Sequence, residues 1–120
     1  MPGGPGGPVE EEELSPEEQA AMADAASEIS EIRAQLAAAP PELVVANHVM
    51  GLYELAAIHL NRDQPDLVAS RLAIDALSGL LDACKGRLGE SEMTLVDARH
   101  QLQLAYVQVA NWVKEQTAQQ

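Results

Sequence analysis

Residues Leu43 to Leu60 read LVVANHVMGLYELAAIHL, and their spacing decides the fold. Set on a helix at about 100° per residue, the apolar side chains occupy almost the whole circumference. Val44, Leu52 and Leu55 fall on one side, and Val45, Val49, Tyr53, Ala56 and Leu60 on another. Ala46, Met50 and Ala57 close most of the gap. Only two narrow polar stripes interrupt them, Asn47 with Glu54 and His48 with His59. A helix apolar nearly all round needs cover on most sides, so this stretch reads as the central helix of a small all-α antiparallel bundle.

The segment after it has the same character. Asp66 to Lys85 places Leu67, Ile74, Leu77 and Leu81 in one row and Leu72, Ala76, Leu80 and Ala83 in another. Arg71, Asp75, Ser78 and Asp82 make a single thin polar stripe, with Arg71 and Asp75 spaced i,i+4 for pairing. The turn between the two helices, residues 61–66, offers Asp63 or Gln64 as cap and Pro65 in the first turn. A connection this short makes the two helices antiparallel neighbours. Lys85-Gly86 supplies the exit, a basic residue at the negative helix end and a glycine free to turn left-handed.

Gly89-Glu90-Ser91-Glu92 opens the next helix with acids at its positive end. Its main stripe is Leu95, Ala98, Leu102, Tyr106, Val109 and Val113. A weaker one holds Met93, Val96, His100, Leu104 and Val107. Residues 117–120 read as a fraying tail. The helical core domain thus spans 41–116.

Upstream, Met1 to Pro8 is MPGGPGGP and residues 10–13 are four consecutive glutamates; residues 1–14 read as a disordered leader. Ser15-Pro16-Glu17-Glu18 is a helix start, with serine as N-cap, proline at the first helical position and glutamate closing a capping box. The acidic amphipathic helix of 15–38 places Met22, Ala25, Ile29, Ile32 and Leu36 at alternating steps of three and four, a narrow seam for one neighbour. Pro40-Pro41 ends it. That seam docks on the bundle or on a second copy, or stays free until a partner arrives; exposed Ile29, Ile32 and Leu36 favour docking.

The chain of 120 residues argues for one domain. It carries seven Lys and Arg against nineteen Asp and Glu, for a formal net charge of -12. Ten of the acids and one base lie in residues 1–42, so the acidity belongs to the N-terminal segments and the core is close to neutral. Nucleic-acid binding requires clustered Lys and Arg and is excluded on this balance. The acidic leader serves solubility or attracts a basic partner. The apolar stretch carries Asn47, His48, Glu54 and His59 and falls short of the ~20 clean residues of a membrane span. No secretory signal is visible, which makes the cytoplasm the expected address.

Residues Ile74 to Val107 read IDALSGLLDACKGRLGESEMTLVDARHQLQLAYV. An Ile-Asp pair, leucines at helical spacing, the Lys85-Gly86-Arg87-Leu88 turn, the acidic start at Glu92 and the Leu102, Leu104, Tyr106, Val107 ending carry a resemblance. It is to the bacterial domain of unknown function family eighteen forty-four, small all-helical proteins, and extends over roughly residues 43–109. The two histidines of the central helix depart from that family's Ser/Thr-containing segment. The family has no assigned activity, and the resemblance implies none.

Chemistry-bearing residues are sparse. Cys84 is the single cysteine and reads as an inert buried thiol. His48, His59 and His100 are the metal-ligand candidates. His48 and His59 share a face but stand about 16 Å apart along the axis, too far for one ion with ligands at about 2 Å. No Glu-x-x-His or His-Glu-x-x-His spacing accompanies them, and no nucleophile elbow or phosphate loop is present. The expected protein is not an enzyme and takes no cofactor. It is a helical oligomerisation or protein-interaction module, with a histidine-based ligand or metal site and an acidic regulator of a basic protein as the alternatives.

Area favours the first. Three core helices cannot cover all of this apolar surface, and what is left over becomes an interface. A homodimer is expected, with Met93, Val96, His100, Leu104, Val107, Ile29, Ile32 and Leu36 as interface candidates, and another cytoplasmic protein as the further partner.

Overall fold

The computed structural model describes residues 13–119. Among them there are four α-helices and no strand. Helix α1 spans Pro16–Ala38, α2 Pro41–Leu60, α3 Leu67–Ala83 and α4 Glu92–Ala118, with a 3₁₀ turn at Gly89–Ser91. The chain divides into two units, one ending at Ala38 and the other beginning at Ala39. Of the expected leader, residues 1–12 lie outside the described residues.

The first unit begins as its spacing requires. Ser15 Oγ accepts from the Glu18 N–H at 3.0 Å, and Glu18 Oε1 accepts from the Ser15 N–H at 2.8 Å. The box satisfies two backbone donors that a helix start otherwise leaves unpaired. No residue of α1 is buried. Met22, Ile29, Ile32 and Leu36 of its seam are all exposed.

In the second unit α2, α3 and α4 all pack on one another, with the most extensive contact between α2 and α3. The shared core is Ala46, Val49, Ala56 and Leu60 from α2, Ala73, Ile74, Leu77 and Leu81 from α3, Leu95 and Leu102 from α4, and Leu88 from the turn. With no Phe in the chain, aliphatic side chains fill it, and Tyr53 and Tyr106 pack half-buried against its margin.

Several local expectations are corrected. The cap of α3 is Asp66, not Asp63 or Gln64: its Oδ1 accepts from the Ala69 N–H at 2.9 Å, and Pro65 lies outside the helix. A proline disfavours helical backbone in the residue before it, so Gln64 cannot be drawn into the first turn. Helix α3 ends at Ala83 rather than Lys85, because the Arg87 N–H turns back onto the Cys84 carbonyl at 2.9 Å and Gly86 takes a φ of 79°. That left-handed conformation is strained for a residue with a Cβ. Cys84 is half-buried rather than buried, since it sits in this exit turn. A 3₁₀ turn fills residues 89–91, so α4 begins at Glu92. It runs through Ala118, past the expected core boundary at 116, and the Thr117 hydroxyl donates to the Val113 carbonyl at 3.0 Å; of the expected tail, Gln120 lies outside the described residues.

The largest correction concerns cover. Helices α2 and α3 each bury one stripe, not most of their circumference. Leu43, Met50, Leu55 and Ile58 of α2 are exposed. The α3 row of Leu72, Ala76, Leu80 and Ala83 is exposed except at half-buried Leu80. Two packing partners cover only the side of a helix that faces them, so within the second unit the opposite stripe of each helix stays uncovered. By length and composition α2 is also suited to crossing a membrane; here its Ala46, Val49, Ala56 and Leu60 stripe lies in the three-helix core.

Candidate interaction surface

Two polar linkages hold the second unit's shape. At the α3–α4 connection the Glu92 carboxylate accepts from the Gly86 N–H at 2.7 Å through Oε2 and from the Leu88 N–H at 2.9 Å through Oε1. These bonds, chiefly the one from Gly86, hold its carboxyl below the ordinary value of 4.5, and the nearby Lys85 charge acts in the same direction. Between the helices, Arg99 Nη1 lies 2.7 Å from Asp82 Oδ1 and 3.5 Å from the Ser78 carbonyl. Asp82, part of the thin polar stripe of α3, therefore bridges α3 to α4. Arg71 and Asp75 do pair, at 3.8 Å and with both side chains exposed.

The histidines form no ligand set. His48 and His100 are exposed on different helices, and His59 is half-buried. Among the described residues no group of three His, Cys, Asp or Glu side chains is placed to hold a metal ion. His59 Nδ1 and Ser78 Oγ are buried without a hydrogen-bond partner among these residues.

Exposed apolar surface dominates instead. On α4, Met93, Val96, Leu104 and Val107 are exposed, with exposed His100 in the same stripe. These are the interface candidates of that helix, and the structure sets all five in solvent. Ile29, Ile32 and Leu36 are exposed on α1. Two further apolar residues stand exposed on α3. Val68 is 83% exposed and Leu72 70%, and both line a groove with Leu67, Arg71, Asp75 and Tyr106. Val107 borders an adjoining groove with Ile74 and Gln103 that shares Arg71, Asp75 and Tyr106. The outer faces of α3 and α4 thus adjoin along two grooves that share Arg71, Asp75 and Tyr106, with Val68 and Leu72 on one and Val107 on the other.

Sequence reasoning placed Leu72 in a covered row and passed over Val68. The usable signal was the step of four from Val68 to Leu72 to Ala76, opposite the core row on α3. Ser70 was missed as well. It is fully buried, and its hydroxyl donates to the Leu67 carbonyl at 3.2 Å. It completes Leu67, Ser70, Ile74, Leu77 and Leu81 at alternating steps of three and four, and its position in that seam outweighs its polarity.

No protein-family model, curated protein or solved structure matches the chain.

Proposed function

We propose that the chain is a non-catalytic helical module that pairs with a second copy of itself in the cytoplasm. Its second unit is an antiparallel three-helix bundle with the outer face of α3 and α4 as the interface. The observation that carries this reading is the exposure of Val68, Leu72 and Met93, each at 70% or more. Single exposed apolar residues are ordinary. Here they fall in rows, Val68 and Leu72 on α3 and Met93 with Val96, Leu104 and Val107 on α4, and exposed apolar surface concentrated in this way marks an interaction site. Full burial of one such side chain is worth about 2 kcal/mol, so a few of them offset the entropy lost on association.

The charges that the two grooves share suit a two-fold axis. In an interface built from the same patch on both subunits, Arg71 of one faces Asp75 of the other as readily as its own. The resemblance to an uncharacterised helical family rests on residues 74–107 and adds no activity to this reading.

Sedimentation of the full chain at micromolar concentration tests it. The expected species has twice the 12.8 kDa chain mass, and Leu72→Glu or Val107→Glu shifts it toward monomer while the helical circular dichroism is retained. A monomer at that concentration overturns the proposal.

A further inference from the structure

We infer that α1 pairs with α1 of a second copy as a parallel, in-register, two-stranded coiled coil. This rests on the homodimer reading and assigns a separate contact within it. The seam of Met22, Ala25, Ile29, Ile32 and Leu36 has the three-four alternation of core positions a and d, with Met22, Ile29 and Leu36 at a and Ala25 and Ile32 at d. Apart from Ala25 the side chains are large, and every residue of the seam is exposed. An apolar seam on a helix with no buried residue requires a partner helix to cover it.

The charges identify the partner. Glu17, Asp24 and Glu31 recur every seven residues, all at position c, on the outer side away from the seam. Only two charged residues flank it after the first turn: Glu28 at g and Arg33 at e. In a parallel two-stranded coil, a g residue faces the e residue five positions later on the other strand. Glu28 and Arg33 are separated by five. Two symmetry-related pairs therefore form, one on each side of the seam. Neither residue has an opposite charge three or four positions away in its own helix, the spacing that intrahelical pairs need. Glu28 instead has Asp24 and Glu31 at those positions, so it gains from a cation supplied by another chain. An antiparallel partner would set g against g and e against e, placing like charges or alanine and glutamine opposite these residues. The same g-to-e pairing holds the two strands in register, since a shift of one heptad separates Glu28 from Arg33.

The test uses the full chain. Ala25→Cys in a Cys84→Ser background puts one thiol at a d position, where parallel in-register strands bring the two copies within disulfide reach. Near-complete covalent dimer in a glutathione redox buffer is expected. Separately, Glu28→Lys and Arg33→Glu each set like charges at both flanks and are expected to raise the dissociation constant about tenfold, near 1.4 kcal/mol. The double exchange, Glu28→Lys with Arg33→Glu, restores it. A chain that sediments as a dimer but neither cross-links at position 25 nor shows this loss and rescue overturns the inference and leaves the α3–α4 interface standing. Cross-linking and rescue that persist in Leu72→Glu and Val107→Glu variants separate the two contacts the other way. Seam residues protected by a core helix or by a different protein, with no cross-link between copies, also overturn it.

Discussion

The Glu92 carboxylate reaches back six residues to the Gly86 N–H at 2.7 Å, and its other oxygen takes the Leu88 N–H at 2.9 Å. One side chain at the first residue of α4 thereby fixes the exit of α3. Because the folded-state carboxyl lies below its ordinary 4.5, the ionised form is the one that stabilises the fold. That contribution is complete above about pH 4.5 and is lost as pH falls through the lowered folded value. Glu92→Gln, which keeps one acceptor and loses the charge, is expected to lower the Tm at pH 7. The difference from the parent should shrink as the melts are taken below pH 4.5. An unchanged gap at acid pH would show that the carboxylate's charge is not what holds the turn.

The Arg99–Asp82 pair has unequal partners. The Arg99 side chain is 21% exposed and that of Asp82 73%. Arg99→Ala removes a packed aliphatic stem as well as a charge, whereas Asp82→Ala removes a mostly solvated group. The expected losses are about 1 kcal/mol for the first and about 0.5 kcal/mol or less for the second. A double-mutant cycle by urea denaturation should give a coupling of only a few tenths of a kcal/mol.

Helix existence was legible throughout because it rests on local signals: the Ser15–Glu18 box, the two prolines at 40–41 and the glycine at 86. The main stripe of α4 was legible too, with Leu95 and Leu102 buried and Ala98, Tyr106, Val109 and Val113 half-buried. What sequence did not reveal was which of two apolar stripes on α3 wins the core. Leu77 and Leu72 are equally greasy, and only the positions of α2 and α4 decide between them. Glu92's role was hidden for a related reason. An acid at a helix start reads as a response to the helix dipole, while its actual partners are backbone donors in the preceding turn. The candidate surface was half legible: the α4 stripe could be named, but the exposure of Val68 and Leu72 beside the shared groove residues Arg71, Asp75 and Tyr106 depends on which faces of α3 and α4 meet.

Asp66 is the sole side-chain cap seen at the start of α3, through its 2.9 Å bond from the Ala69 N–H. Its own N–H donates to the His59 carbonyl at 3.0 Å, so the backbone of the α2–α3 turn stays tied when the side chain is cut. Asp66→Ala is therefore expected to destabilise by about 1 kcal/mol without altering the turn, and Asp66→Asn by less, since both residue types cap well. Equilibrium unfolding in urea with an unchanged m-value is the check.

Leu72 and Leu77 lie five residues apart on one helix and separate stability from assembly. Leu77 is 1% exposed in the centre of the core, so Leu77→Ala removes contacts that the surroundings cannot replace. It is expected to cost about 3 kcal/mol, within the range for buried leucine truncations. Leu72 is 70% exposed, and in an isolated chain Leu72→Ala should stay within about 0.5 kcal/mol of the parent. If the outer face of α3 is an interface, the two variants differ in a second way. Dimerisation stabilises the folded state by mass action, so the parent's unfolding midpoint rises with protein concentration, and Leu72→Ala flattens that rise. Leu77→Ala lowers the midpoint at every concentration while keeping a rise. Unfolding curves for the three chains over a hundredfold range of concentration distinguish these patterns. A parent midpoint independent of concentration would mean that the exposed leucine serves no self-association.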